Sequence, residues 1–532
     1  MRAFSQLLDD LVYTRSRNTK LKLIGDYLKE SPDPDRGIAL AALTGELDIP
    51  HVKPAAIRVL AEERTDPVLF HMSRDYIGDT AETVALLWPT ADDGVPEVDD
   101  GSLNTAAVVE RLRSAGKLEA PRLLASMLDH LDASGRYALL KLATGELRVG
   151  INARLAKQAL ASAFGIDVDA VEEVWHGLSP PYAELFAWAE GRGPQPAPRD
   201  VPVFRPFMLA HPLGDARLSL DEYAAEWKWD GIRVQLVHTA GQTRLYSRTG
   251  DDISGSFPDI AGAFRTAGVL DGELLVRGTG QGAEQHGGEA AGFNALQQRL
   301  GRKSVSRKML SAYPAFVRLY DILFDGAEDL RERPWTERRE RLERFAAALD
   351  QRRFDVSQLI DAATFDALEE LRRQARDAAI EGIMLKRRDS PYVSGRRTGL
   401  WYKWKRDPLT ADCVLMYAQR GSGKRSSYYS DYTFGCWTDG GDLLPVGKAY
   451  FGFTDEELRS LDRWVRAHTV QRFGPVREVE KSLVLEIAFD SIHRSSRHKS
   501  GLAMRFPRIS RIRTDKPAHE ADRVETLEGM VA

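Results

Sequence analysis

The stretch EWKWDGIR, residues 226–233, surrounds one lysine with two tryptophans, two acids and an arginine. If these residues form a β-strand, their side chains alternate between the two faces of the sheet. Glu226, Lys228 and Asp230 then share one face, and the two tryptophans lie on the other. The tryptophans can anchor the strand in a core while three ionisable groups line a pocket. Gly231 permits a tight turn or a close approach beside them.

A lysine in such a place could act as a nucleophile. An ordinary lysine has a pKa of about 10.4 and is charged at neutral pH, so a nucleophilic amine must be helped to lose its proton. Lowering that pKa by about 3 units takes roughly 4 kcal/mol, which desolvation and cations such as Arg233 can supply. The alternative is a structural ion pair of Lys228 with Asp230 or Glu226. For a lone Lys-x-Asp-Gly the ion pair is the better interpretation, because so short a pattern arises readily by chance.

Six further stretches argue against a chance match, because they follow the lysine in order and each combines charged or aromatic residues. They are SRTGDD (247–252), LDGELL (270–275), VRLYDIL (317–323), EGIMLK (381–386), WYKWK (401–405) and RFPRISRIRTDK (505–516). The set resembles the motifs of the covalent nucleotidyltransferases, namely DNA ligases, RNA ligases and mRNA capping enzymes. Over nearly its full length the chain is similar to ATP-dependent DNA ligases. Further likeness lies in GELRVGI (145–151), RPFMLAHP (205–212) and FNALQQRLGRK (293–303).

This resemblance implies covalent catalysis by Lys228, which would attack the α-phosphorus of ATP, expel pyrophosphate and carry AMP on its nitrogen. Glu226 matches the residue that reads the adenine amino group. Tyr320 matches an aromatic that stacks on adenine, where many relatives have phenylalanine. Glu273 and Glu381 match metal-associated carboxylates, with Mg²⁺ as the expected ion and Mn²⁺ as a substitute.

The other implied site residues hold sugar and phosphate groups or orient the leaving pyrophosphate. Those assigned to ATP are Asp230, Arg233, Arg248, Glu273, Lys386, Lys403, Lys405, Arg513, Asp515 and Lys516. Those assigned to DNA, from the basic runs and the last motif, are Arg420, Lys424, Arg425 and Arg508. Strict alternation would place Glu381 and Lys386 on opposite faces of a strand, so the strand is expected to bend or end at one of them.

Three units are expected to position these residues. Residues 1–195 show apolar residues at helical spacing and predict an all-α domain, which the resemblance implies to be DNA-binding. Asn152 and Gly165 are predicted to cap the two ends of one helix there, and no regular internal repeat is evident. The proline- and glycine-rich segment 196–205 is expected to be a linker.

The pattern of residue types changes twice in the rest of the chain, after residue 205 and after residue 406. Residues 206–406 mix short β-rich runs with charged helical stretches, which predicts an α+β fold and, by resemblance, the nucleotidyltransferase (adenylation) domain. Residues 407–532 predict several strands and one helix that opens with a Thr454–Glu457 capping box. That pattern suits a C-terminal β-barrel of the OB-fold type.

Charge favours a polyanionic partner only through its distribution. The net charge is −4, from 74 basic and 78 acidic residues, yet basic residues cluster in 403–425 and 494–516. No apolar run approaches the roughly 18 residues of a membrane span, and the N-terminus does not read as a signal peptide. Together with the resemblance to DNA ligases, this implies a cytoplasmic, nucleoid-associated protein, and the compact length suits a prokaryotic type. It would be monomeric by default and act on nicked double-stranded DNA.

Three alternatives compete with a DNA ligase that uses ATP. An RNA ligase or capping enzyme would leave the helical region and GELRVGI unexplained. An NAD-dependent DNA ligase normally carries a four-cysteine zinc element, which Cys413 and Cys436 alone cannot build. A non-catalytic scaffold would not be expected to keep the complete set of site residues. The sequence leaves open whether replication, repair or recombination is the setting, and which proteins are partners.

Overall fold

The computed structural model describes the whole chain except residues 15, 78, 90–103, 146, 197–200, 278–289, 291–295, 301, 303–304, 376–378, 421–427, 496–497 and 532. The N-terminal part is helical, as predicted. Its helices are α1 (Arg2–Tyr13), α2 (Arg17–Glu30), α3 (Asp35–Thr44), α4 (Pro54–Arg64), α5 (Pro67–Ile77), α6 (Thr80–Leu87), α7 (Thr105–Ser114), α8 (Glu119–Asp129), α9 (Ala133–Thr144), α10 (Ala153–Phe164), α11 (Val168–Trp175) and α12 (Ala183–Ala189).

Short polar residues and glycines set the ends of these helices. The Asn152 side chain accepts a hydrogen bond from the backbone N–H of Leu155 at the start of α10, and Gly165 ends the helix with a left-handed φ of 70°. Both predicted caps are therefore confirmed. Asp132 and Gly145 cap the two ends of α9 in the same way.

Two helices of the helical region, α3 and α9, end in the same way, although the expectation of no regular internal repeat stays untested. The sequence Thr-Gly-Glu-Leu occurs at the ends of both α3 and α9. Each helix ends in a left-handed glycine, Gly45 or Gly145, and each buries an arginine near its start, Arg36 or Arg136. The shared residues are few and far apart, which is why apolar spacing did not reveal them.

The middle of the chain is an α+β domain, as predicted. Its strands are β1 (Met208–Leu209), β2 (His211–Pro212), β3 (Tyr223–Trp229), β4 (Ile232–Thr239), β5 (Gln242–Ser247), β6 (Gly268–Val276), β7 (Ala315–Asp325), β8 (Glu328–Asp329), β9 (Phe354–Val356), β10 (Ile380–Arg387), β11 (Gly395–Arg396) and β12 (Trp401–Lys405). Its helices are α13 (Pro258–Ala263), α14 (Arg307–Ala312), α15 (Trp335–Ala347) and α16 (Phe365–Gln374), with a 3₁₀ turn at Ser254–Ser256.

Two sheets build the core of this domain. One has the strand order β2-β12-β10-β3, and the other has the order β5-β4-β6-β7-β8 with β9 on β7. The chain passes from the first sheet to the second at Asp230 and Gly231, between β3 and β4. A Cβ on Gly231 would lie 2.3 Å from the carbonyl oxygen of Leu274, so glycine is required at this crossing. Trp229 packs beside Phe316 and anchors β3 in the core.

The C-terminal part is a strand-rich domain. Its elements are β13 (Leu409–Arg420), β14 (Tyr429–Trp437), β15 (Leu443–Ala449), α17 (Asp455–Ala467), β16 (Thr469–Phe473), β17 (Val476–Val479), β18 (Val484–Phe489), β19 (Ser491–Arg494), β20 (Leu502–Arg505), β21 (Arg508–Arg513), a 3₁₀ turn at Ala518–Glu520 and α18 (Val524–Glu528). The predicted capping box of Thr454 and Glu457 opens α17. The strands pair as β15-β14-β13-β17-β16, with β18 joining β13 to β21. Within the described part of the chain, these pairings do not close into a barrel.

The helical region docks on the α+β domain through polar and aromatic contacts. Glu173 of α11 accepts a 2.7 Å hydrogen bond from Arg331. The ring of His176, which follows α11, lies 4.7 Å from that of Tyr246 between centroids. No helix among the described residues combines the length and apolar character that crossing a bilayer demands.

Candidate active site

A cavity of about 500 Å³ opens where the two core sheets meet the C-terminal domain. The sequence-predicted residues that line it are Glu226, Lys228, Asp230, Arg233, Arg248, Glu273, Tyr320, Glu381, Lys386, Lys403 and Lys405. They come from separate stretches of the chain and from both sheets. The fold therefore brings together in one place most of the residues that the sequence motifs single out.

Lys228 is held by a carboxylate from the neighbouring strand. Its Nζ forms an ion pair with Glu381 of β10, and Lys405 donates a 2.6 Å hydrogen bond to the other oxygen of that carboxylate. Burial alone would raise the pKa of Glu381, but Lys228 and Lys405 outweigh it and bring the pKa down to about 2. Glu381 is thus ionised throughout the physiological range and fixes the position of the Lys228 amine.

Glu381 reaches the cavity because β10 bulges. Its pairing with β3 shifts between Ile380 and Gly382, which makes Glu381 the extra residue. Gly382 has a φ of 152°, and a Cβ there would lie 2.3 Å from the carbonyl oxygen of Trp404. The bulge resolves the alternation conflict, because it lets both Glu381 and Lys386 face the cavity.

Glu226, Lys386 and Tyr320 form the most buried part of the site. Lys386 makes an ion pair with Glu226, and each side chain is only 2% exposed. The Lys386 Nζ also donates to the carbonyl oxygen of Tyr320 at 3.1 Å and lies 4.6 Å from the centre of the Tyr320 ring. Burial lowers the pKa of Lys386, although Glu226 opposes that effect. Lys386 engages Oε1 of Glu226, whereas Arg339 approaches Oε2 only to 3.9 Å and no described residue donates a hydrogen bond to that oxygen, so Oε2 keeps capacity for a ligand donor.

Arg233 of β4 and Glu273 of β6 stand directly opposite each other in the strand pairing. Glu273 accepts a 3.1 Å hydrogen bond from the backbone N–H of Gly231. Burial raises the pKa of Glu273 to about 7, although Lys228 and Arg233 pull it the other way. Arg233 donates a 3.1 Å hydrogen bond to the buried Asp271, which orients the guanidinium. A further cation bound near Glu273 would favour the ionised form of its carboxylate.

Cations gather at the more open end of the cavity. Burial lowers the pKa of Lys403, and nearby Arg396, Lys405, Lys228 and Arg248 lower it further by repulsion. Arg396 was not predicted as a site residue; it enters through β11, which pairs in parallel with β1. Such a concentration of positive charge suits a polyanionic group such as a triphosphate.

The C-terminal domain supplies two further lining residues that the sequence argument missed. Arg505 forms an ion pair with Asp230, and Phe506 lines the cavity beside it. Phe506 has a φ of 50°, a left-handed conformation that costs a residue with a side chain roughly 1–2 kcal/mol. Both residues stand at the start of the motif RFPRISRIRTDK, whereas the roles in ATP binding were assigned to residues at its other end. Their membership of that motif is the clue by which they could have been identified.

The far end of the same motif lies away from the cavity. Arg513 and Lys516 both pair with Asp412, at 3.1 and 2.8 Å. Asp515 pairs with Arg513 at 2.9 Å, and the exposed Asp515 has its pKa lowered to about 2 by that arginine. Their assignment to the pyrophosphate stays a prediction.

The residues assigned to DNA lie on the C-terminal domain. Arg508 pairs with Asp490 at 3.1 Å, and the Arg420 guanidinium lies 5.8 Å from the centre of the Tyr429 ring. Lys424 and Arg425 fall outside the described residues. The DNA contacts of all four stay predictions.

The lysine, the buried acids and the cations of this cavity together fit a covalent nucleotidyltransferase. Residues 207–405 match the family model described as "ATP dependent DNA ligase domain", and residues 425–516 match "ATP dependent DNA ligase C terminal region". The chain belongs to the ATP-dependent DNA ligase family.

Curated relatives and a solved structure agree with this assignment. A "Probable DNA ligase" from Koribacter versatilis is 31% identical over 99% of this chain and 96% of its own length. A "Probable DNA ligase" from Anaeromyxobacter sp. is 33% identical over 99% and 97%. The solved structure titled "Pmar-Lig_PreS3" superposes with a TM-score of 0.57 at 16% identity, covering 96% of this chain and 99% of that one, which shows a common fold.

Proposed function

We propose that this DNA ligase seals nicks in duplex DNA in three steps, of which the first two take place on Lys228. First, the Lys228 amine gives up a proton and bonds to the α-phosphorus of ATP, and the bond to pyrophosphate breaks. Next, an oxygen of the 5′-phosphate at the nick attacks the AMP phosphorus and releases the lysine. Finally, the 3′-hydroxyl attacks the 5′-phosphate, loses its proton and displaces AMP. Each step is displacement at phosphorus, so positioning and charge neutralisation dominate.

The observation that carries this proposal is that Lys228 lines one cavity together with two chemically different groups of residues. Glu226 retains capacity to accept from the adenine amino group, and Tyr320 offers a ring for the base. Lys403 and Arg248 lie among further cations that suit phosphates. A nucleotide that contacts both groups would place its α-phosphate within reach of the lysine.

A divalent cation such as Mg²⁺, or Mn²⁺ in its place, fits the acids of this site. Glu273 and Glu381 both line the cavity, and no group of three or more potential ligands occurs among the described residues. Mg²⁺ is commonly held by one or two carboxylates together with substrate phosphates and waters. A bound cation would neutralise charge on the phosphates, and it would favour the ionised form of Glu273.

The domain roles follow from the same proposal. Residues 1–195 would bind DNA, 196–205 would link them to the adenylation domain at 206–406, and 407–532 would form an OB-fold barrel that completes a clamp around the duplex. Binding would then rest on backbone phosphates, with Arg420, Lys424, Arg425 and Arg508 among the contacts, and would weaken with salt. A monomer in the cytoplasm, associated with the nucleoid, suits this role.

Incubation with labelled nucleotides tests the proposed chemistry. The protein should retain label from α-labelled ATP after denaturing electrophoresis, and Lys228→Ala should abolish that label. The variant Lys308→Ala, at an exposed position of the same domain, should retain it. Label from GTP alone would indicate capping chemistry, label from NAD alone would indicate an NAD-dependent ligase, and no label with any nucleotide would refute the proposal. Sealing of RNA nicks in preference to DNA nicks would favour an RNA ligase.

A further inference from the structure

Three arginines surround one tyrosine at the edge of the C-terminal domain, and a fourth arginine stands next to one of them. Arg477 of β17 donates a 2.6 Å hydrogen bond from Nε to the Tyr429 hydroxyl. The guanidinium carbons of Arg420, Arg466 and Arg477 lie 5.8, 5.3 and 5.7 Å from the centre of the Tyr429 ring. Arg472 of β16 stands directly opposite Arg477 in the strand pairing and so shares its face. We call these four arginines the arginine cluster.

Among the described residues, Arg466 is the member of the arginine cluster that has an acidic ion-pair partner. Asp462 is bonded to Arg466 at 2.8 Å and to the backbone N–H of Tyr429 at 2.8 Å. Like charges directly opposite each other on paired strands, as at Arg472 and Arg477, destabilise a sheet. An arrangement that costs folding stability in this way is explained if an anion binds there.

The pKa of the Tyr429 hydroxyl agrees with a strongly positive surface. Burial would raise the pKa of its hydroxyl, but hydrogen bonds from Arg477 and Arg420 outweigh burial and lower the pKa. Planar guanidinium groups bind phosphate oxygens through paired hydrogen bonds, which a lysine cannot reproduce. The chemistry of the cluster therefore matches phosphate groups.

The place of the cluster bounds its distance from the active site. Strand β13 begins at Leu409, next to a smaller pocket that Lys405, Asp490 and Arg505 line, and it ends at Arg420 in the cluster. A straight strand of 12 residues spans about 35 Å, and the irregular pairing of β13 makes the true span shorter. One turn of duplex DNA covers about the same length, roughly 10 base pairs.

We propose that the arginine cluster binds backbone phosphates of duplex DNA within about one helical turn of the nick. This inference rests on the proposed nick-sealing function and adds to it a second anchoring site on one arm of the substrate. Phosphate contacts position a protein without reading sequence, so the contact should be independent of base composition.

The double variant Arg420→Gln/Arg472→Gln tests the proposal, because both positions are exposed and Arg477 still holds Tyr429. Its affinity for a nicked, 5′-phosphorylated duplex would be measured by fluorescence anisotropy without divalent metal, across a range of salt concentrations. The probes have arms of about 20 base pairs, or one arm shortened to about 5 base pairs on either side in turn. Arg459→Gln/Arg523→Gln, also exposed on this domain and outside both basic runs, removes the same charge outside the cluster.

On the long-armed probe we expect affinity to fall about tenfold and the salt slope to shrink by between about 1 and 2. Shortening one particular arm should weaken wild-type binding and erase the difference between wild type and variant, while shortening the other should not. An unchanged salt slope, an equal loss in the control variant, or a loss that persists whichever arm is short would overturn the proposal. Wild-type self-adenylation and nick binding test the underlying function separately, since their absence would refute nick sealing and not the cluster alone.

Discussion

The ion pair between Asp230 and Arg505 joins the C-terminal domain to the turn that follows the strand of Lys228. Breaking this ion pair tests how the domain contact contributes to the reaction. The two side chains are 14% and 19% exposed. Exposed pairs are worth about 0–1 kcal/mol, whereas removing one partner of a buried pair costs about 3–5 kcal/mol. A pair covered to this degree should lie between those limits, at about 2 kcal/mol. That corresponds to a rate effect of about 30-fold.

We expect this loss in the steps that follow adenylation, because the observed arrangement keeps Arg513 and Lys516 on Asp412, away from the cavity. Single-turnover sealing by enzyme already loaded with AMP should therefore slow about 30-fold in Arg505→Ala. Self-adenylation of the same variant should stay within about threefold of wild type.

A double-mutant cycle separates the contact from other effects of each residue. Combining Arg505→Ala with Asp230→Ala should add little to the slower single variant in the sealing step, giving a coupling energy of about 2 kcal/mol. Arg494→Ala serves as the control, since Arg494 pairs with Glu528 inside the same domain and is 74% exposed. If the rate losses of the two single variants simply multiply in the double variant, the two residues do not act through their ion pair. An equal slowing by Arg494→Ala would likewise refute this role of the contact.

Two further changes test the fold around the site. Gly382→Ala should lower the stability of the core domain by at least about 2 kcal/mol in thermal unfolding, because its Cβ would collide with the carbonyl of Trp404. The control Gly326→Ala, at a φ of 58° with open space around it, should cost only about 1 kcal/mol. Equal costs for the two variants would contradict the bulge at Glu381. His176, partly buried beside the core domain, has its pKa lowered to about 4 by burial and by Lys157. The unfolded imidazole binds a proton below about pH 6.5 and the folded one does not, so unfolding free energy should fall by up to about 3 kcal/mol between pH 6.5 and 4. His176→Gln should flatten this part of the pH profile and His130→Gln, at an exposed position, should not; identical profiles in both would exclude the partly buried imidazole as the cause.

Local patterns in the sequence predicted the residues that share a strand face. The alternation of Glu226 and Lys228 follows directly from strand geometry, and both line the cavity. The same rule exposed the conflict between Glu381 and Lys386, which the bulge resolves. A glycine after Glu381 is compatible with a bulge, but the close approach of Trp404 that demands it depends on the pairing of distant strands.

Contacts between domains could not be predicted in this way. Arg505 and Phe506 enter the cavity from a domain that starts nearly 180 residues after Lys228, and no periodicity reports on such an approach. Arg396 was missed for a related reason, because its place depends on a two-residue parallel pairing. The arginine cluster likewise draws on four separate elements, and only Arg420 lay in a basic run.

Mapping the site of AMP attachment tests the central claim most directly. The protein would be incubated with ATP and Mg²⁺, digested, and its peptides analysed by mass spectrometry for a bound AMP. The account predicts AMP on the peptide that contains Lys228, on that lysine, and release of the AMP when nicked DNA is added. AMP on a different residue, or efficient nick sealing by a protein whose Lys228 never carries AMP, would contradict it.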